Sequence, residues 1–205
     1  MLDSCSQFQF TQSNCSADFQ DWHQGIKEFG LWCIEITDSI WVEYIAECQE
    51  KLRHRLLPNY QRQPHITLCA SGLLAEGYFC QQKLAQQKKQ LTQGCKNFDI
   101  AICGADSFST APFLALENHH HLKKLNRLLA AISEDSPPDF YTPHITLGLY
   151  ADRYPVQDII TELQQLPPPP EQPMTVDTIS FASYQTQDIQ GPLTIKDKIA
   201  LIREL

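Results

Sequence analysis

The sequence lacks the features of a membrane, secreted or metal-stabilised protein. It has no run of about 18 apolar residues, so no transmembrane helix is expected. Residues 1–24 lack the cationic start and the apolar stretch of a secretory signal, which predicts a cytoplasmic protein. The eight cysteines include no Cys-x-x-Cys pair, so we expect reduced thiols and neither a disulfide scaffold nor a structural zinc site. Walker-type and dinucleotide-binding glycine loops are also absent.

Basic residues are too few for a long nucleic-acid footprint. The 205-residue chain has 16 lysines and arginines against 24 aspartates and glutamates, a net charge of −8. A protein that covers many phosphates needs a basic stripe. We therefore expect no long duplex as a partner, and instead a small or terminal phosphate ester that one local basic pocket can hold.

One five-residue segment, Pro-His-Ile-Thr-Leu, occurs twice, at Pro64–Leu68 and at Pro143–Leu147. The chance of such a repeat in a random chain of this length is below about 1%. In each copy the histidine and the threonine are two residues apart, so on a strand both side chains point to the same face, roughly 7 Å apart. The isoleucine and leucine point the other way and are expected to pack under helices. Two such strands brought together would gather two imidazoles and two hydroxyls around one pocket.

The pattern around each motif predicts a strand, a helix, the motif strand, a second helix and a closing strand. The first set occupies about residues 30–104 and the second about 112–184, which indicates an internal duplication. Two similar halves of this kind predict a pseudo-two-fold α+β protein. The predicted strands are Leu31–Ile36, His65–Ala70, Phe98–Cys103, Phe113–Leu116, His144–Tyr150, Thr175–Tyr184 and Leu193–Ile202. One predicted helix follows a cap at Thr37 or Asp38, and the others cover Ala75–Gln93, the residues from the cap Asn118 to about Ile132, and about Val156–Leu166.

The doubled motif resembles the two-histidine (2H) phosphoesterase superfamily, which includes 2′,3′-cyclic nucleotide phosphodiesterases and 2′-5′ RNA ligase-like proteins. The likeness is most specific at residues 64–70 and 143–149, and a weaker one covers residues 179–184 with the following Gly191-Pro192. It implies a bilobal fold with two antiparallel sheets facing a central cleft and with helices on the outside. It also implies one phosphoesterase domain over residues 26–205, with residues 1–25 as a tail or lid.

The resemblance implies that His65 and His144 are catalytic, with His144 as the base that activates water and His65 as the acid for the leaving oxygen. Histidine near pKa 6.5 serves either role at neutral pH, so the near symmetry leaves the roles interchangeable. Thr67 and Thr146 are expected to donate to the phosphate oxygens. Tyr184 is a candidate for stacking on a base, although core packing fits it equally. No metal and no cofactor are expected.

Three other features allow more than one interpretation. The run His119–His121 suggests a metal site, but consecutive helical residues point in different directions, which favours an exposed helix start. The run Pro167–Pro170 fits a surface connection better than a ligand for a partner domain. Arg62 precedes the first motif and could contact a phosphate, but a solvated loop charge is the commoner case.

We therefore expect a monomeric, metal-independent phosphodiesterase that opens the 2′,3′-cyclic phosphate of a nucleotide or RNA end to a 2′-phosphate. Three alternatives remain: a 2′-5′ RNA ligase or phosphodiesterase, a module that binds nucleotides or RNA ends without turnover, and a metal-dependent hydrolase that uses the histidine run. The expected partner is the phosphodiester substrate, with no membrane.

Overall fold

The computed structural model describes residues 4–14, 23–92, 95–117, 120–133 and 141–202. In these residues the chain forms four α-helices, nine β-strands and two 3₁₀ turns, at Ser4–Gln7 and Arg53–Arg55. The helices are α1 (Ser39–Leu52), α2 (Gln81–Thr92), α3 (His120–Ala130) and α4 (Val156–Leu163). The strands are β1 (Glu28–Glu35), β2 (His65–Leu73), β3 (Phe98–Ile100), β4 (Ile102–Ser107), β5 (Pro112–Leu116), β6 (His144–Thr146), β7 (Met174–Val176), β8 (Thr178–Gln185) and β9 (Thr194–Ala200).

The strands form two antiparallel sheets, as predicted for an α+β protein. The larger sheet has seven strands in the order β4-β5-β6-β2-β1-β8-β9, and the smaller one pairs β3 with β7. The two motif strands, β2 and β6, are neighbours in the larger sheet. They therefore lie side by side within one sheet, where we had expected them to face each other across a cleft.

The strand order is close to symmetric about the β2–β6 junction. On one side β6 is followed by β5 and β4, and on the other side β2 is followed by β1 and β8, with β9 added at the edge. Yet β4 comes from the first half of the sequence and lies beside β5 of the second, whereas β8 comes from the second half and lies beside β1 of the first. Each half thus gives its last strand to the other, which ties the two repeats together.

The helices begin and pack as their sequences dictate. The predicted cap of α1 is confirmed, because Asp38 Oδ1 accepts hydrogen bonds from the backbone N–H groups of Ile40 (3.0 Å) and Trp41 (3.2 Å). Helix α3 lies over β2, where the Asn126 side-chain amide donates to the Leu68 carbonyl at 2.8 Å. All four helices contribute buried apolar residues to one large core that also includes Ile66, Leu68, Ile145 and Leu147.

A second, smaller apolar cluster lies on the other face of the larger sheet. It contains Leu31, Cys33, Ala182 and Leu193, with Tyr184 and Ile195 packed against it. Leu31 and Cys33 alternate along β1 with Trp32 and Ile34, which belong to the large core. Neighbouring side chains of a strand point to opposite faces of the sheet. At β1, the neighbour of the motif strand β2, one face of the sheet therefore packs against the large core and the other against the small cluster.

Several predicted elements differ from those observed. The helix predicted over Ala75–Gln93 begins only at Gln81, and the strand predicted over Thr175–Tyr184 divides at Asp177 into β7 and β8, which belong to different sheets.

The strand predicted over residues 144–150 ends at Thr146. Beyond it the Leu147 N–H donates to the carbonyl of Pro112, the first residue of β5, and the Tyr150 N–H donates to the Thr110 carbonyl in the loop before β5. The strand predicted over residues 98–103 divides at Ala101 into β3 and β4, which belong to different sheets.

Part of the N-terminal segment that we expected to be a tail or lid is docked against the second half. The Thr11 N–H donates to the Tyr154 carbonyl (2.9 Å), the Gln12 N–H to the Ser109 carbonyl (2.7 Å), and the Asn14 N–H to the Tyr150 carbonyl (3.1 Å). Asn118, the predicted cap of the third helix, and His119 of the histidine run lie outside the described residues.

Candidate active site

The two motifs meet at one point of the larger sheet. Ile66 of β2 is directly opposite Ile145 of β6. In an antiparallel pair this register places His65 opposite Thr146 and Thr67 opposite His144, with directly opposed Cβ atoms about 4.5–5.5 Å apart. Because Ile66 and Ile145 are fully buried in the core, the histidines and threonines face the other side. The two motifs thus form a motif quartet: His65, Thr67, His144 and Thr146.

Both histidine rings are held by the same backbone contact. The Nδ1 atom of His65 is 2.8 Å from the carbonyl oxygen of Gln63, and the Nδ1 atom of His144 is 2.7 Å from the carbonyl oxygen of Thr142. A carbonyl only accepts hydrogen bonds, so Nδ1 carries the proton in each ring. In the neutral imidazole Nε2 therefore has a free lone pair, which is the form that a general base needs. The repeated segment thus gives both rings the same neutral tautomer.

His65 lies in the more enclosed environment, with 9% of its surface exposed. Burial lowers its pKa, the contact with the Gln63 carbonyl opposes this, and the charge of Arg62 and repulsion from a protonated His144 add to the lowering, so that the pKa is about 4. In the free protein His65 is consequently a neutral base at pH 7.

His144 is half-buried against two aromatic rings. The Phe108 ring meets it edge-on at 4.9 Å between centroids, and the Phe113 ring is tilted against it at 5.2 Å. Phe108 and Phe113 also stack on each other at 4.3 Å. Burial lowers the pKa of His144, and the hydrogen bond to the Thr142 carbonyl works in the opposite direction. The aromatic wall therefore keeps this imidazole partly dry and favours its neutral form.

Arg62 brings a buried cation beside the first motif. Its Nε–H donates to the Gly191 carbonyl at 3.2 Å, and its guanidinium carbon lies 4.2 Å from the centre of the Tyr184 ring. Its Nη2 atom is buried and has no hydrogen-bond partner among the described residues. Burial lowers the pKa of the guanidinium. A desolvated donor with no partner is costly, so this corner is suited to an anion.

The sequence of residues 36–188, more than half of the chain, matches the sequence model of the 2′-5′ RNA ligase superfamily. The chain belongs to this superfamily of 2H phosphoesterases. No functionally curated protein matches the sequence.

Solved structures from bacteria share the fold of this chain. LigT of E. coli complexed with 3′-AMP superimposes with a TM-score of 0.55 and 16% identity, over 85% of this chain and 98% of LigT. The protein TT0787 of Thermus thermophilus gives a TM-score of 0.61 and 16% identity, over 86% of this chain and all of the other. LigT has also been solved with NADP⁺ and with ATP. At these identities the matches establish the shared fold.

The phosphoesterase fold brings together all four residues of the motif quartet, but it gives Tyr184 other contacts. The Tyr184 ring stacks on Phe29 at 5.4 Å, lies under the Arg62 guanidinium, and meets His23 edge-on at 6.2 Å. A nucleobase that stacks on Tyr184 would have to share the ring with the Arg62 guanidinium or displace that guanidinium. The stacking role of Tyr184 stays a prediction, and its observed contact is with Arg62.

Two charged residues at this site were missed or undervalued in the sequence analysis. Arg62 is half-buried where a solvated charge was expected. Glu35 lies directly opposite His65 across β1 and β2. Burial raises the pKa of Glu35, but hydrogen bonds from Ser180 (2.5 Å) and Lys198 (2.9 Å) outweigh it, so the pKa is lowered overall. No sequence signal marks Glu35, because its importance comes from strand register alone.

The histidine run does not enter the candidate site. His120 is exposed, and the ring of His121 stacks on Phe98 at 4.9 Å with an angle of 9° between the planes. His119 is outside the described residues. Within the described ranges no group of three or more His, Cys, Asp or Glu side chains is arranged to hold a metal ion, and no helix there is long and apolar enough to cross a membrane.

Proposed function

We propose that this protein is a metal-independent phosphodiesterase that opens the 2′,3′-cyclic phosphate of a nucleotide or RNA end to a 2′-phosphate. The motif quartet is the observation that carries the proposal. It provides two imidazoles with the same proton arrangement and two hydroxyl donors on one face of one sheet. An in-line displacement at phosphorus needs one proton acceptor and one proton donor, and two histidines supply both.

In the proposed reaction the oxygen of a water molecule attacks phosphorus while His144 Nε2 takes its proton. The bond from phosphorus to the ribose 3′-oxygen breaks, and the leaving oxygen takes a proton from His65, so the phosphate stays on the 2′-oxygen. Thr67 and Thr146 donate hydrogen bonds to the non-bridging oxygens, where charge accumulates in the transition state. Arg62 Nη2, buried and without a partner in the described residues, provides positive charge near the same anion.

The acid role of His65 requires that it gain a proton when substrate binds. Its pKa of about 4 in the free site keeps it neutral at pH 7. A bound phosphodiester places a negative charge beside both imidazoles and raises the pKa of each. The substrate would thus charge its own general acid, and the assignment requires the phosphate to raise the pKa of His65 above that of His144, so that His144 stays neutral as the base.

Purified protein, incubated in EDTA with the four 2′,3′-cyclic mononucleotides and a short RNA that ends in a 2′,3′-cyclic phosphate, tests this function. We expect 2′-phosphate products by chromatography, and a fall in rate of about 10²- to 10⁴-fold in His65→Ala and in His144→Ala. His54→Ala, which removes an exposed histidine outside the site, is the matched control. Full activity in either motif variant, or loss of activity in EDTA, would contradict the proposal.

The ligase reaction of the superfamily's name is a second candidate. In ligation the 5′-hydroxyl of a second RNA takes the place of water in the same displacement: its oxygen bonds to phosphorus, the bond from phosphorus to the 3′-oxygen breaks, and a 2′-5′ linkage forms, so the motif quartet supports it equally. Incubating an RNA that ends in a 2′,3′-cyclic phosphate with one that begins with a 5′-hydroxyl distinguishes the two. A joined product in excess of the 2′-phosphate product would favour ligation.

A further inference from the structure

The charges of this acidic chain are unevenly distributed. No aspartate or glutamate occurs between Glu76 and Asp99 or between Glu117 and Glu134. These two stretches contain seven of the 16 basic residues, and the rest of the chain has nine basic and 24 acidic ones. The seven are Lys83, Lys88, Lys89, Lys96, Lys123, Lys124 and Arg127.

The two stretches form neighbouring helices on the outside of the protein. Gln87 of α2, which is fully buried, donates its side-chain amide to the Leu129 carbonyl of α3 at 2.8 Å. The solvent side of α3 consists of His120, Lys123, Lys124 and Arg127, all exposed and spaced three, four and seven residues from the first. With 1.5 Å per residue this stripe is about 10 Å long. We call it, together with Lys89 of α2, the basic face.

The basic face is poorly neutralised. Lys88 forms an ion pair with Asp197 of β9 and is therefore left out of the face. Lys89, Lys123, Lys124 and Arg127 have no acidic partner within the part of the chain that the structure describes. A cluster of exposed cations on a protein of net charge −8 concentrates positive potential at one place, which attracts a polyanion.

An aromatic surface adjoins the basic face. Phe98 and His121 stack with their rings nearly parallel, and beside them is a cavity of about 130 Å³ that Lys96 and Lys124 also line. This cavity is too small to enclose a nucleotide, and a larger one of about 620 Å³ that the same two rings line is also bounded by the acidic Asp99 and Glu117, so a nucleobase would lie against the surface of the rings. Cations along a backbone with an aromatic ring beside them are the combination that binds single-stranded nucleic acid.

Membrane binding fits these helices less well. A helix that lies in a bilayer surface needs large apolar side chains beside its cations. The exposed large hydrophobic residues in the described ranges are Phe10, Ile40, Tyr78 and Ile202, none of which is on α2 or α3.

We propose that the basic face binds the phosphate backbone of single-stranded RNA. The inference rests on the proposed function: if the motif quartet opens cyclic phosphates, RNA binding at the basic face would make an RNA end, rather than a free nucleotide, its substrate. Helix α3 covers β2 on the side opposite His65, so a strand must pass around the sheet to reach both places. Only an RNA of several nucleotides would then use both, whereas a cyclic mononucleotide would use the quartet alone.

Fluorescence anisotropy with a labelled 20-nucleotide RNA that ends in a 3′-hydroxyl tests the binding without any turnover. For the triple variant Lys123→Glu, Lys124→Glu and Arg127→Glu we expect affinity at least roughly tenfold weaker at low salt. Its plot of log affinity against log salt should be shallower by about 2, because each phosphate contact to a single strand contributes about 0.7. The matched control is Lys51→Glu, Arg53→Glu and Arg153→Glu, which makes the same change of charge elsewhere on the surface.

The outcomes separate this inference from the proposed function. Equal weakening by both triple variants would show an effect of net charge and overturn the inference. Binding of anionic phosphatidylserine vesicles or of polyglutamate as tightly as RNA would also overturn it, in favour of a membrane or a protein partner. RNA binding without turnover of any substrate would support the inference and contradict the proposed enzymatic function. The glutamate variant should turn over cyclic mononucleotides at an unchanged rate, which controls for its folding. The milder variant Lys123→Gln, Lys124→Gln and Arg127→Gln is a second control for folding.

Discussion

The surroundings of His65 and His144 differ, although the segments that carry them are identical. Each ring makes the same contact to a carbonyl two residues earlier in the chain. The half-buried guanidinium of Arg62 lies close enough to His65 to lower its pKa, and Glu35 is its cross-strand neighbour, whereas His144 is bounded by the rings of Phe108 and Phe113. The first motif thus has a polar, charged environment and the second an aromatic one.

This difference shows what a repeated segment determines by itself and what it does not. Backbone direction, side-chain alternation and the carbonyl contact are local, so both copies have them. The pKa values and the neighbouring charges come from residues distant in sequence, so they differ. In a duplicated site the division of labour between acid and base must therefore arise from these neighbours.

The largest expected effect distinguishes the acid from the base. A phosphodiester with 4-nitrophenolate as its leaving group needs no proton on that group, because the phenolate is stable in water. We expect the variant that lacks the acid to recover most of its loss of about 10²- to 10⁴-fold on this substrate, and the variant that lacks the base to recover none. On our assignment His65→Ala is rescued and His144→Ala is not, as measured by nitrophenolate release. Rescue of His144→Ala alone would reverse the assignment.

The next effect concerns stability in acid. The pKa of His65 is about 4 in the folded protein against an ordinary value of 6.5, so the unfolded chain binds the proton first as pH falls. The contribution of neutral His65 to the free energy of unfolding is complete above pH 6.5. It is lost as the pH falls from 6.5 to 4, by about 3 kcal/mol at most. Urea unfolding between pH 7.5 and 4.5 should show this loss reduced in His65→Gln. The exposed His120, which has no ion pair within the described residues, should leave the loss as it is when changed to Gln, and an equal loss in His65→Gln would contradict the prediction.

Replacing Arg62 with glutamine removes a positive charge beside the first motif and leaves the second motif unchanged. Loss of a charge-assisted hydrogen bond of about 1.5–3 kcal/mol predicts a fall in kcat/KM of roughly tenfold to a hundredfold for Arg62→Gln. Removing the cation should also raise the pKa of His65, since its charge is one of the causes that lower it. Imidazole NMR titration measures that shift. A pKa that does not rise would show that burial alone sets it.

The contact between Arg62 and Tyr184 can be tested in the same background. If Tyr184 acts by holding the guanidinium 4.2 Å above its ring, Tyr184→Ala should reduce activity in the wild type and have no further effect in Arg62→Gln. Tyr184→Phe, which keeps the ring, is the matched control. Additive losses would instead support stacking of Tyr184 on a base.

Much of this site could be predicted from the sequence, because the motif quartet depends on spacing and on side-chain alternation. The order of the elements and a cap near Asp38 followed from similar local patterns, whereas the two antiparallel sheets were implied by the resemblance to the family. The places of Glu35, Phe108 and Arg62 could not be predicted, because they depend on strand register, on a turn and on a loop. The basic face could not be predicted from the net charge, because net charge is a sum over the whole chain. It becomes visible only in the structure, where α2 lies beside α3.

The smallest expected effect concerns the aromatic side of the comparison. In Phe108→Ala water reaches His144, so the desolvation that lowers its pKa weakens and the pKa rises toward its ordinary value. A base is inactive when protonated, so the acid limb of the kcat/KM profile should move to higher pH, while the rate at pH 8 falls only a few-fold. Phe108→Leu keeps the site apolar without the ring and should leave the limb in place. A limb that moves equally in both variants would attribute the pKa to the ring's own contact with the imidazole rather than to the exclusion of water.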